Sequence, residues 1–528
     1  MLRRMTMGGL VAAAVGALCV GIGPSATAAR TNPAIVVNSS GDGSDDAIHD
    51  GTCDAEAADG AQCTLRAAIE NANFRTGDDT ITFRIGNGPK TIAPSSPLPE
   101  VSGVVVIDAT AQPGTLPHKT CLVQTGHPCI LLTGQNIING GGSGLILSGG
   151  HSTVRGLAIS DFPENGIVIE HAGSDVVVGN YIGTTITGTA EFGSRNDGIL
   201  ILLSTLNRIG GREPGEGNVI SGNGLRGIPD KRGPIGFGVE IKGASANGNI
   251  LLGNLIGTDV TGTAAIGNFA GGILVNGASD TRIGGAVAGA GNVISGNGSA
   301  DSEGTEIGVG VEVFGTDAEH NRVAGNRIGV NVASDALPNL GTGVVVTRGV
   351  AGGPSGNVVG GTSLSSANTI AFNHGPGVRV TGTASGDSVL RNAIHDNQGL
   401  GIDLGFNGVT ANDADDSDTG ANGLQNFPVL TSAVNGTTDT VVKGRLRSTP
   451  GTAFAVQLFV DDACDESGFG EGQLFLVQVT ATTDETGLAK FTKSVSPVLG
   501  VGQRVTATAT APDGSTSEFS HCRTVTAG

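Results

Sequence analysis

The phrase GNVISGN at 217–223 returns letter for letter at 291–297, and a looser copy, ANTIAFN, follows at 367–373. Two more phrase families keep step with it. NYIGT, NLIGT and NRIGV begin at Asn180, Asn254 and Asn326; NRIGG, TRIGG and NVVGG begin at Asn207, Thr281 and Asn357. Each returns after about 74 residues, a period that belongs to stacked architectures rather than to one closed core. Inside the period the apolar residues alternate. GIVIE at Gly166, GVEIKG at Gly238, GGILVNG at Gly271, GVEVFG at Gly310, GVVVTR at Gly343 and GVRVTG at Gly377 share the form Gly-apolar-x-apolar. That spacing is strand spacing, with every second side chain inward. Two such phrases fall in each period, so one period is predicted to be two coils of a parallel β-helix, with like strands pairing about 4.8 Å apart.

The asparagines are assigned to coil corners. There the backbone can turn left-handed, which Asn tolerates, and copies in successive coils can stack and hydrogen-bond. The 90 glycines among 528 residues fit many short strands joined by tight turns. The net charge of −19 argues against nucleic acid, and against polyanionic sugars unless cations mediate.

Residues 1–29 are predicted to be a secretory signal. Arg3 and Arg4 precede an apolar run too short to span a bilayer, and small residues follow at Ala26 and Ala28. No later segment reads as a transmembrane span, so a secreted, extracellular protein is expected. Of seven cysteines, Cys19 lies in that leader. The others form sequence-local groups, and bridges Cys53–Cys63, Cys121–Cys129 and Cys464–Cys522 are expected, although sequence alone leaves the connectivity open. CTLRAAIENAN at 63–73 is the convincing helix: Thr64 can cap it, and Leu65, Ala68, Ile69 and Ala72 share a face. It is assigned as a lid at the N-terminal end of the stack.

CTLRAAIENAN, then GDDTITFRI, TIAPSSPLPE, VVVIDA and the NxIGT and GNVISGN phrases, resembles secreted bacterial right-handed parallel β-helix proteins with an N-terminal CSLREA-type motif. Thr64 stands where Ser is usual and Ala67 where Glu is usual. The resemblance covers roughly 34–426 and implies the fold; for activity it implies only a comparison with surface adhesins and polysaccharide-active β-helices. The expected class is all-β: cap and first coils at 30–110, parallel β-helix repeats at 111–410, an acidic linker at 411–426, and an immunoglobulin-like β-sandwich at 427–528. The last follows from seven longer alternating stretches after residue 427.

Two constellations could carry chemistry. Asp413, Asp415, Asp416 and Asp418, with Asn422, offer a dense oxygen set suited to Ca²⁺, though the spacing is not that of an EF-hand and a solvated acidic linker is the plainer alternative. The outward x positions run Val168, Leu200, Glu240, Leu274, Glu312, Val345, Arg379 and Asp403. Glu240 and Glu312 would lie two coils apart, near the carboxyl separation of inverting glycosidases, and Arg379 and Asp403 one coil apart. These four are the catalytic candidates, against the plainer reading of an exposed face with scattered charges. The absence of Trp and the single Tyr181 argue against a sugar-stacking groove. The expected function is therefore a non-catalytic extracellular protein presenting loops to a polysaccharide or cell-surface component. A polysaccharide lyase or glycoside hydrolase is the alternative, and whether the chain is an enzyme stays open.

Overall fold

The computed structural model describes residues 32–55, 62–138, 140–224, 236–300, 306–348 and 355–528; the predicted leader lies outside them. Three long parallel sheets of 11, 10 and 9 strands dominate. The first runs from Ile35–Val37 to Ser388–Leu390, the second from Lys90–Ile92 to Ala393–His395, and the third from Leu145–Leu147 to Ile402–Leu404. Within each sheet, spatial order follows chain order, and from Leu145 onward each coil adds one strand to each sheet in turn. This is the predicted parallel β-helix. Its core is one column of aliphatic side chains: in the third sheet Ile199 and Ile201, Val239 and Ile241, then Ile273 and Val275, are buried in successive coils. Alternation explains this, because a one-residue slip would put every charged x position into the column.

The repeated phrases mark corners. Asn180, Asn218, Asn254, Asn292, Asn326, Asn368 and Asn392 form one ladder between the first and second sheets, each amide donating to the next side-chain oxygen at 2.8–3.2 Å. NxIGT and GNVISGN are thus the same corner in alternate coils. The second Asn of GNVISGN belongs to another ladder, Asn223, Asn268, Asn297, Asn339, Asn373 and Asn397, where the chain leaves the second sheet. A third contains Asn207 and Asn249, then Asn321, Asn357 and Asp387. The expected left-handed Asn is corrected. In these three ladders the positive φ usually falls on the residue before: Gly179, Gly253 and Gly325, or Leu206, His320 and Phe372. The Asn residues named here stay outside that region themselves.

The two-coil period also has a cause. Every second coil carries an arch after the second-sheet strand, closed by the bridges Thr184–Glu191, Thr258–Ala265 and Val330–Ala336. Val260 N–H donates to Gly188 O, and Val332 N–H to Gly262 O, so the arches stack on one another across the intervening coil. Ile186 and Val260 cover Ala158, Tyr181 and Val219 on the outside of the second sheet, which leaves Tyr181 buried.

The helix Leu65–Phe74 forms as predicted, with Thr64 accepting from Ala67 N–H. Leu65, Ala68, Ile69 and Ala72 join the column's core. Arg66 is buried as well; it pairs with Asp42 at 2.8 Å and donates to Pro97 O and Ser96 O. All three expected disulfides are present.

The seven stretches after 427 form seven strands with their own core. Leu474–Thr482, Ala453–Asp461, Arg504–Thr510 and Arg523–Ala527 run into Val429–Asn435, Thr440–Arg447 and Leu488–Val495. This module closes the end of the column. Glu471 accepts from Asn397 N–H and its side-chain amide, the place the next Asn would take. Gly472 and Ile394 exchange backbone hydrogen bonds, and Glu518 accepts from Leu404 N–H and Thr410 N–H.

Candidate functional site

The outer face of the third sheet carries the charged ladder. Backbone register places Val168, Leu200, Glu240, Leu274, Glu312, Val345, Arg379 and Asp403 in one line. Glu240 and Glu312 are separated by one intervening coil, whereas Arg379 and Asp403 are direct neighbours. The face is not a row of solvated charges. Val345 is fully buried and Asp403 nearly so.

Two groups form along it. At the upper end Arg379 lies over the Phe406 ring at 4.4 Å. Burial pushes its guanidinium down, opposed by the charges of Glu312 and Asp403. Burial raises the Glu312 carboxyl, and Arg379 pulls it back. Burial raises Asp403 too, against backbone N–H donors and Arg379. Arg379 Nε and Asp403 Oδ1 are buried without a hydrogen-bond partner. One cation thus serves two carboxyls.

The lower group contains a residue absent from the sequence candidates. Asp197 accepts from Phe237 N–H at 2.8 Å, and its carboxyl is pushed up to about 8 by burial first and by the charge of Glu240 second. The two side chains hydrogen-bond, which also raises the Asp197 carboxyl. Glu240 also accepts from Asn276 Nδ2 at 3.1 Å and lies 3.5 Å from Lys242 Nζ. A signal was available: ENGIVI and NDGILI align, so Asp197 takes the corner place of Asn165, whose side-chain oxygen accepts from Asp197 N–H.

The acidic segment is separate. Carboxylate oxygens of Asp413, Asp416 and Asp418 lie within 4.8 Å of one another, a weak triad that could hold a metal ion. Asp415 stands outside it. Asn422 does not join either: it accepts from Asp387 N–H and donates to Asp387 O and Thr516 O, ending the third ladder. Asp416 already accepts from Gln425 Nε2, Asn426 N–H and Ser448 Oγ. Its carboxyl is raised by burial, and that of Asp418 by burial and then by Asp413.

No helix of the described residues is long and apolar enough to cross a membrane. No family model matches the chain, and no curated protein does. Among solved structures the chain is similar to the pectate lyase Pel9A, at 14% identity and TM-score 0.34, covering 74% of this chain and 83% of that one. It is also similar to the A-module of the Azotobacter vinelandii mannuronan C-5 epimerase AlgE6, at 12% and 0.25, covering 66% and 95%. A third is the tailspike gp49 of Acinetobacter baumannii bacteriophage Fri1, a capsular polysaccharide depolymerase, at 8% and 0.19, covering 84% and 69%. At these scores no residue can be carried from one chain to another.

Proposed function

We propose that the chain is a secreted, extracellular scaffold that binds a polysaccharide along the outer face of the third sheet without cleaving it. The supporting observation is the ladder itself: Glu240, Glu312, Arg379 and Asp403 share one outward line of register, Arg379 and Asp403 one coil apart and the others with an apolar residue between them. A rigid row of donors and acceptors suits a linear polymer of hydroxylated units, and holding it costs little further ordering. Binding fits better than turnover because the charges are spent on one another. Asp197 and Glu240 are in hydrogen-bond contact, so they leave no room between them for a sugar linkage, which needs carboxyls about 5 Å apart or more. Burial lowers the Arg379 guanidinium, and the charges of Glu312 and Asp403 beside it oppose that shift.

One observation favours the hydrolase reading. The Asp197 carboxyl is pushed up to about 8 by burial, the direction a general acid needs, and Glu312 lies two coils from Glu240, about 10 Å along the sheet and near the upper end of an inverting separation. The two readings separate on a glycan panel. The binder reading expects retention of a polysaccharide, weakened about tenfold by Arg379→Ala, which removes the cation near Glu312 and Asp403. Retention by no glycan, or equal retention by the variant, contradicts it.

The acidic segment is a candidate Ca²⁺ site formed by Asp413, Asp416 and Asp418. A cation there relieves the repulsion among the three carboxyls. Ca²⁺ is expected to raise the melting temperature and chelation to lower it, with Asp413→Asn removing the response. A melting temperature indifferent to both sinks the assignment.

A further inference from the structure

The outside of the first sheet carries a second, oppositely charged line. Its register runs Arg208, Ile250, Arg282, Arg322 and Val358, with each residue paired to the next. Arg282 and Arg322 are one coil apart and exposed, while the neighbouring Ile283 and Val323 fill the column. Arg327 is exposed just beyond the Asn326 corner, on the adjoining second sheet. Only Arg208 of these four has an ion-pair partner among the described residues, Glu216 at 3.5 Å. Asp280, in the turn entering the Arg282 strand, pairs with none of them. In a chain with 48 acidic and 29 basic residues, Arg282, Arg322 and Arg327 are thus left without an ion-pair partner among the described residues. A separate groove of about 840 Å³ lies in earlier coils, lined by Arg155, Arg212, Glu213 and Glu216 among others and by none of these three arginines.

We infer that this arginine line, on a different sheet from the carboxylate ladder, is a binding site for a linear acidic polysaccharide. The guanidinium forks bind carboxylates of successive sugars, a match of planar donors to planar acceptors that Lys would not give. Ile250 and Val358 supply apolar contact for ring faces. The line gives a strongly acidic protein one face that an acidic polymer can approach, which net charge alone would forbid.

The test uses polygalacturonate, a neutral glucan and duplex DNA with the intact chain at low and high salt. Polygalacturonate is expected to bind, to be released by salt, and to lose about tenfold in affinity in the triple variant Arg282→Ala, Arg322→Ala, Arg327→Ala. The triple Lys variant should restore part of the loss, showing that charge rather than folding was removed. Any neutral-glycan binding at the third sheet should be unchanged by the triple Ala variant, so the two sites fail independently. No binding of polygalacturonate at low salt, or binding that the triple Ala variant leaves intact, overturns the inference. Tighter binding of DNA than of polygalacturonate overturns the polysaccharide assignment.

Discussion

A ladder asparagine makes hydrogen bonds in several directions, and that sets what replacing it costs. Asn292 donates to Leu251 O and Asn326 Oδ1, and its oxygen accepts from Asn254 N–H and Nδ2. Ala there leaves buried donors and acceptors unpaired, so Asn292→Ala is expected to destabilise by about 3 kcal/mol in denaturant titration. An exposed change such as Thr187→Ala should be near neutral by the same measurement. Titration adds a second residue-scale effect. Glu518 and Asp461 are both raised to about 7, chiefly by burial, and Glu471 at the same junction is raised as well. Between the ordinary carboxyl range and about 7, the folded chain holds protons that the unfolded chain has released. Stability contributed by these groups is therefore full below that range and is lost as pH rises through about 7. Melting temperature should fall from about pH 5 to about pH 8, and Glu518→Gln should flatten the fall; a rise over that interval would contradict the assignment.

At the scale of elements, the strands and their outward ladder were legible because alternation of apolar residues records which side faces the column. The corners were half legible. Repetition of Asn announced a stacked position, but the left-handed turn sits one residue earlier, where Gly253 has φ 63° and a Cβ would meet Gly211 O at 2.3 Å. Gly253→Ala is expected to lower the melting temperature more than a surface Gly→Ala such as Gly451→Ala, which meets nothing within 4 Å although both have positive φ. Asp197 escaped notice because it replaces an Asn at a corner, and one changed letter does not reveal that Glu240, one coil away, will help to raise its carboxyl. The Asp413 to Asp418 cluster was visible as charge, yet nothing local showed Asn422 turned toward Asp387 and Thr516 instead.

For the whole molecule, the seven-strand module is part of the stack's ending. A column of parallel strands exposes an open edge and an apolar mouth at each end unless something covers them. Glu471 and Glu518 accept the N–H groups that another coil would have taken, and Phe459 and Phe519 pack into the column's core. Such contacts span more than a hundred residues for Glu518 and Leu404, beyond the reach of any local pattern. Removing 427–528 is therefore expected to yield aggregates by light scattering rather than a shorter soluble rod. The functional claim depends on the same rigidity, since a ladder holds its polar row only while the coils below it stay in register. It is tested most directly by incubating a retained polysaccharide with the intact chain and measuring reducing ends and polymer length over time. The account predicts bound polymer of unchanged length; shortening at a rate that drops in Glu240→Gln would make the ladder an active site.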